Sequence, residues 1–221
     1  MSIPQIYKAD FFENEFYHVY NRTNNQEALF INDSDRNLFL HRFYLYLAPF
    51  VDTFAWNLLP NHFHFYIRIK SIVEINEYLE RKLNKDLCRT EKRYLKQRTS
   101  LHSLIKNSFA RFFISYSTCF NKIHARHGNL FHRPFRHIIT KSENQFIQTI
   151  IYINTNAIKH KLARTIEDYK WSSYMIIISG NKTRLSKTEL LKHFGGVSGF
   201  IKLHKDQSSF YYDENCYIDN D

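Results

Sequence analysis

Asn61-His62-Phe63-His64-Phe65-Tyr66-Ile67-Arg68-Ile69-Lys70 alternates without a break. Phe63, Phe65, Ile67 and Ile69 fall on one face of a strand, and His62, His64, Tyr66, Arg68 and Lys70 on the other. The apolar row must face a core. The opposite row presents two imidazoles side by side, then a phenol and two cations. Two His at i and i+2 on a strand put both rings within reach of one metal ion, and neutral imidazole is the commonest ligand for such ions.

Upstream, Val51–Leu59 is a second β-like run, joined to the first through the turn dipeptide Pro60-Asn61. Further back, Phe16–Arg22 (FYHVYNR) reads as a strand. It is followed by a polar loop at Thr23–Glu27, a short Leu29-Phe30-Ile31, and a helix capped by Asp33 or Ser34 that runs to about Leu47, before Pro49. Downstream, Glu74 to about Lys85 predicts a helix, and the basic block Arg89–Ser100 a loop or a frayed helical end. Leu101 to about Ala125 predicts a helix with a Phe109, Phe112, Phe113, Tyr116, Phe120 stripe. Arg136–Thr140 predicts a short strand. A last long helix opens on the capping pattern Ser142-Glu143-Asn144-Gln145 and continues to about Leu162. The order βαββα…βα predicts an α+β fold: a ferredoxin-like, split βαβ antiparallel sheet with a helical insert between its third and fourth strands and a helical C-terminal extension. Residues 1–180 are expected to form the main domain. Residues 181–221 form the extension, ending in a polar, acidic and loosely held tail over Ser208–Asp221.

The 221 residues, 43% hydrophobic, suffice for one domain with a core and an appendage, not for two full domains. Five glycines, at 128, 180, 195, 196 and 199, cannot spell a GxxxxGK[ST] phosphate loop or a GxGxxG fingerprint. Three well-separated cysteines, Cys88, Cys119 and Cys216, give neither a CxxC zinc pair nor a disulfide framework, which suits a reduced cytoplasmic protein. No apolar run approaches the ~18 residues of a membrane span, and no signal-peptide pattern opens the chain.

Charge narrows the partner. The formal net charge is +10, but five of the 21 acids lie from Asp206 onward with no Lys or Arg among them, leaving residues 1–205 at +15. Between Glu91 and Glu143 no acid occurs, while eleven Lys and Arg do, an electrostatic footprint for a polyanion. Aromatic residues, 17% of the chain, add rings on which bases can stack, although most belong to a core.

The last long helix supplies the other half of a site. Phe146, Ile150, Ile153 and Ala157 form one apolar stripe, with Ile147, Ile151, Ile158 and Leu162 beside it. Between them runs a polar seam of Gln145, Thr149, Tyr152, Asn156 and His160, on which Tyr152 and Asn156 stand one turn apart. Such a seam is either the solvent side or faces something polar. His62, His64, Tyr152 and Asn156 together suit phosphodiester chemistry. A phenol of pKa ~10 is a poor nucleophile at neutral pH and needs a metal that neutralises developing charge. Two His and an amide oxygen make a three-ligand set with open positions. Tyr116 is a rival nucleophile in the acid-free stretch, but Phe120 stands four residues on, and the surrounding Phe stripe points to core packing.

Five ordered segments carry a family resemblance: Tyr17-His18-Val19-Tyr20-Asn21-Arg22; Leu59-Pro60-Asn61-His62-Phe63-His64-Phe65; Gly128-Asn129-Leu130-Phe131-His132-Arg133-Pro134-Phe135-Arg136; Tyr152-Ile153-Asn154-Thr155-Asn156; and Trp171-Ser172-Ser173-Tyr174. The chain resembles the HUH single-tyrosine transposases, in the REP-associated or insertion-sequence branch. The resemblance implies that His62 and His64 bind a divalent ion (Mg2+ or Mn2+), that Asn156 completes the metal site, and that Tyr152 attacks single-stranded or hairpin DNA to form a 5′-phosphotyrosine link. Where the family commonly places Pro after the Asn, Ala157 stands here. Arg133 and Arg136, with Lys141 near the start of the catalytic helix, are the expected phosphate contacts, and Arg22 is a further candidate. Trp171 and Tyr174 either stack on bases or cover the core. Two alternatives remain: a non-catalytic hairpin DNA- or RNA-binding protein on the same sheet, and a structural zinc protein. The latter is disfavoured because His124, His127, His132 and His137 lack paired Cys. A monomer and a homodimer are both compatible with the sequence.

Overall fold

The computed structural model describes residues 9–208. Four strands, β1 (Phe16–Arg22), β2 (Val51–Leu58), β3 (His62–Ile69) and β4 (Arg136–Ile139), form one sheet in the order β2-β3-β1-β4 with every neighbouring pair antiparallel. This is the α+β, split βαβ arrangement that the element order predicts. The β2–β3 turn closes with the Leu59 N–H donating to His62 O at 2.9 Å. β3, with partners on both sides, is central, which fixes its two faces for the whole sheet.

One face packs on α1 (Asp33–Leu47) and α4 (Leu101–Ile123). Phe65 of β3 stacks on Phe43 of α1 at 3.8 Å between ring centroids, and Phe63 meets Phe39 and Phe113. Tyr116 of α4 is fully buried, and its hydroxyl donates to Leu29 O at 2.6 Å. Burying these rings is the main source of stability on this side.

The opposite face is covered as well. α5 (Glu143–Lys159) lies across it, with Phe146 against Phe16, Phe54 and Tyr66. Every α5 residue from Thr149 to Ala157 is buried, because α8 (Val197–Ser208) packs on the helix from behind. The junction is a chain of polar contacts: His204 Nδ1–H donates to Phe200 O, His204 Nε2 accepts from the Asn154 amide at 3.1 Å, Ser173 Oγ–H donates to Asn154 Oδ1 at 2.9 Å, and the Trp56 N–H donates to Ser173 Oγ at 3.0 Å. Every group in this buried relay has a partner, so it locks α8, α5 and β2 together.

Several boundaries differ from the sequence reading. The α1 cap is Asn32, not Asp33 or Ser34: its side chain accepts from Asp35 N–H, and Asp35 reciprocates to Asn32 N–H and Ile31 N–H. α2 spans Ile72–Arg81, two residues earlier at its start and ending before Lys85, because Ser71 and Glu74 form its capping box. Within the basic block expected as loop or frayed end, Arg89–Leu95 is a helix, α3. Buried Glu91 accepts from Cys88 N–H at 2.7 Å and pairs with Lys82 and Arg111, a tertiary support that local sequence does not reveal. Short helices α6 (Tyr174–Ile178) and α7 (Lys187–His193) precede α8. Residues 185–208 touch the sheet through a Thr53–Leu185 bridge and an Arg68–Glu189 ion pair. Of the expected loose tail, Ser208 is the last residue of α8 and the rest lies outside the described residues.

Candidate active site

The sheet pairing sets His18, Tyr20 and Arg22 of β1 beside the histidines of β3, since Tyr20 is the register partner of His64 and Arg22 of His62. The result is a row of imidazoles. His18 Nε2 and His64 Nδ1 are 2.9 Å apart, and the rings of His62 and His64 are edge to face at 5.2 Å. His62 Nδ1 sits 2.7 Å from Asn61 Oδ1, so its N–H donates there. His62 thereby keeps its lone pair on Nε2, the form a cation requires, and His64 does the same in the tautomer whose Nδ1–H donates to His18. Burial holds His64 well below the ordinary imidazole range and lowers His18 to about 3; neighbouring His18, His62 and His160 and the Lys159 ammonium push His64 the same way. Both are therefore neutral imidazoles at physiological pH.

α5 delivers its polar seam to this row. The Tyr152 ring lies edge-on to His64 at 5.7 Å and to His18 at 6.0 Å, with Lys159 Nζ 5.3 Å from its centroid. His160, just past the helix, meets the His62 ring at 4.8 Å. Asn156 is fully buried, and neither its amide oxygen nor its amide nitrogen has a hydrogen-bond partner among the described residues; the same is true of His64 Nε2. Buried polar atoms left this way are costly unless something occupies them. The middle of the seam is therefore turned away from solvent: Tyr152 faces the histidine row and Asn156 is buried one turn on, while His160 at its end meets His62 from an exposed position.

Among the described residues no three His, Cys, Asp or Glu side chains come together as a metal centre. A cation here would need an amide as third protein ligand, and Asn156 Oδ1 and His64 Nε2 are atoms whose chemistry and lack of partners fit that role.

Beside the row opens a cleft of about 280 Å3 whose walls include Arg22, His62, His64, Arg136, Lys159 and His160 and, among the described residues, no carboxylate. Not every residue expected at the site reaches it. Tyr152, 1% exposed, and Asn156 lie behind the wall formed by His64 and Lys159 and are not themselves part of it. Arg133 lines a neighbouring groove instead. Lys141 lines neither cavity: it stands before the N-terminal end of α5, whereas it is the C-terminal end, with Lys159, that lines the cleft. Tyr116 is core, as expected, with burial pushing its phenol far up. Trp171 donates to Asp33 and stacks with Arg36, while Tyr174 is buried against Phe200 and His204, so both cover the core. The sequence reading did not single out His18, Tyr20 or Lys159. The i, i+2, i+4 spacing of His18, Tyr20 and Arg22 is the signal, and it acquires meaning once β1 is known to pair with β3.

No family model and no curated protein sequence matches the chain. Among solved structures it is similar to a REP-associated tyrosine transposase bound to a REP hairpin, with a TM-score of 0.51 and 14% identity over 85% of this chain and 96% of that one. At that identity the likeness is one of fold, and it agrees with the four-stranded antiparallel sheet and its helices. Among the described residues no helix is long and apolar enough to cross a membrane.

Proposed function

We propose that this chain is a metal-dependent, site-specific endonuclease and strand transferase for single-stranded or hairpin DNA, acting as a transposase in the cytoplasm. In this reading residues 1–180 carry the catalytic domain and 181–221 extend it. Tyr152 Oη attacks the scissile phosphorus, the P–O3′ bond breaks, the phenolic proton leaves to solvent and the 3′-oxygen takes one up. The chain is left joined to the DNA 5′-phosphate, conserving the bond for strand transfer. His62, His64 and Asn156 hold a divalent cation, Mg2+ or Mn2+, which when bound polarises the phosphate and neutralises developing charge. Arg22 and Arg136 bind phosphate in the cleft, with Arg133 and Lys141 as contacts further along the DNA.

The observation that carries this reading is the Tyr152 ring set edge-on to His64, with partnerless buried polar atoms on His64 and on Asn156, one turn along α5, two of the three residues assigned to the cation. A solved fold neighbour bound to a DNA hairpin supports the choice of DNA. One observation favours the second reading, a non-catalytic hairpin-binding protein: Tyr152 is buried and must be reached by DNA through a rearrangement of the Lys159–His160 end of α5. The two separate on incubation with labelled hairpin DNA from the flanks of the gene, followed by denaturing electrophoresis. A covalent adduct that Tyr116→Phe retains and Tyr152→Phe abolishes is the expected result. Binding without any adduct from the wild-type chain supports the second reading.

A further inference from the structure

The cleft continues into a second cavity. A groove of about 750 Å3 runs between α4 and the 128–135 segment, and it shares Asn21, His132 and Pro134 with the cleft as a common ridge. It is an open groove, long enough to take an extended ligand along its floor. One wall is a helical stripe of α4 carrying Lys106, Ala110, Ile114 and Ser117, in which Ile114 is 59% exposed. The far wall brings Phe135 and Arg133. Apart from Asn21, the lining falls within the stretch of sequence that lacks acids, and no carboxylate lines the groove among the described residues.

The wall is also built to stay in place. Arg126 donates to Glu27 Oε2, Asn121 Oδ1 and the carbonyls of His127, Gly128 and Asn129, while Asn121 Nδ2 donates to Gly128 O. Asn24 donates to the carbonyls of Asn129 and Phe131. Glu27, the nearest carboxylate in this network, is thereby consumed as a strut. A preformed surface of aromatic and aliphatic faces with two cations at its rim loses little entropy when it binds.

We infer that this groove is a second site for single-stranded DNA, holding unpaired bases of the strand whose scissile phosphate occupies the cleft. Base faces rest on Phe113, Ile114 and Phe135, and Lys106 and Arg133 meet the phosphates, a combination that accepts any base sequence. The inference rests on the cleft being the cleavage centre, and its test is arranged so that the two fail separately.

The experiment measures fluorescence anisotropy of a labelled dT20 oligonucleotide with the full chain and with Ala110→Trp, which fills the groove from an exposed helix position, and Ile114→Asp, which places an acid in it. Both substitutions alter solvent-facing side chains, and circular dichroism verifies the fold. Each is expected to weaken dT20 binding about tenfold, the scale of one lost base-stacking contact. Ile114→Lys is expected to bind at least as well as wild type. His62→Ala is expected to lose the covalent adduct, and in EDTA, where no cation couples cleft and strand, the effect of the groove substitutions on dT20 binding is expected to persist. Affinities within twofold of wild type for both groove variants overturn the inference even where the wild-type chain forms adduct. So does loss confined to an rU20 oligonucleotide. A wild-type dimer in light scattering that Ala110→Trp dissociates without changing dT20 affinity would assign the groove to a second copy of the chain, and also overturns it. Conversely, weakened binding by the groove variants in a chain that never forms adduct supports the groove and removes the cleavage reading.

Discussion

Acidification should release the clamp between α8 and α5, and the loss can be worked out at one residue. His204 is fully buried among Tyr174, Phe194, Phe200 and Asn154, and burial lowers its pKa from the ordinary 6.5 to about 4. Between those values the unfolded chain binds a proton that the folded chain refuses, so stability rises with pH and falls on acidification through this window. The displacement of about 2.5 units corresponds to about 3 kcal/mol at pH 4 and about 2 kcal/mol at pH 5 relative to neutral pH. His204→Phe fills the same aromatic surroundings but leaves the Asn154 amide without its acceptor, a cost of about 1–3 kcal/mol that does not depend on pH. The variant should therefore be less stable than wild type at pH 7, and the two stabilities should meet near pH 5. Urea unfolding followed by fluorescence from Trp56 and Trp171 at half-unit pH intervals measures the difference, in which the other buried histidines, common to both proteins, cancel. A difference that stays constant from pH 7 to pH 4 would refute the reasoning.

Four further outcomes are expected. Tyr116→Phe removes the donor to Leu29 O and should cost about 1–2 kcal/mol of unfolding free energy while leaving adduct formation intact; a loss of adduct would move the nucleophile to α4. Arg136→Ala should lower the slope of log affinity for single-stranded DNA against log salt by about 0.7, one phosphate, and an unchanged slope removes that contact. Because no carboxylate lines the cleft among the described residues, Mn2+ followed by electron paramagnetic resonance should bind weakly to the chain alone and more tightly with oligonucleotide present; equal binding in both states counts against a metal site completed by phosphate. Glu91→Gln should lower the melting temperature by about 2–8 °C, the equivalent of about 1–2 kcal/mol in a chain this long, and an unaltered melt would show that the Lys82 and Arg111 pairs do not hold α3.

The alternation in His62–Ile69 and the two stripes of α5 were enough to place strand, helix and seam, because periods of 2 and 3.6 are local properties of a sequence. What covers a face is not local. Nothing in β3 announces that His64 and Tyr66 are as buried as Phe63 and Phe65, since that depends on α5 crossing the sheet and α8 backing α5. His18 was present in a quoted motif, yet its role as hydrogen-bond partner of His64 follows from strand register, a long-range fact. α3 stayed hidden for the same reason: Cys88 is a poor cap by type, and Glu91 meets its cationic partners through tertiary contact. The polarity of α5 relative to the cleft separated Lys141 from Arg136, two residues that adjacency in sequence had grouped together.

The clamp on α5 has a consequence for the birth of the molecule. Asn154 and His204 are 50 residues apart in the chain, and synthesis at about 5–20 residues per second puts roughly 2.5–10 s between them. β1, α1, β2 and β3 leave the ribosome earlier, so the imidazole row can assemble while α5 still lacks the helix that backs it. A nascent chain thus carries its histidines in register before Tyr152 is held against them, so the candidate site stays half-built throughout that interval.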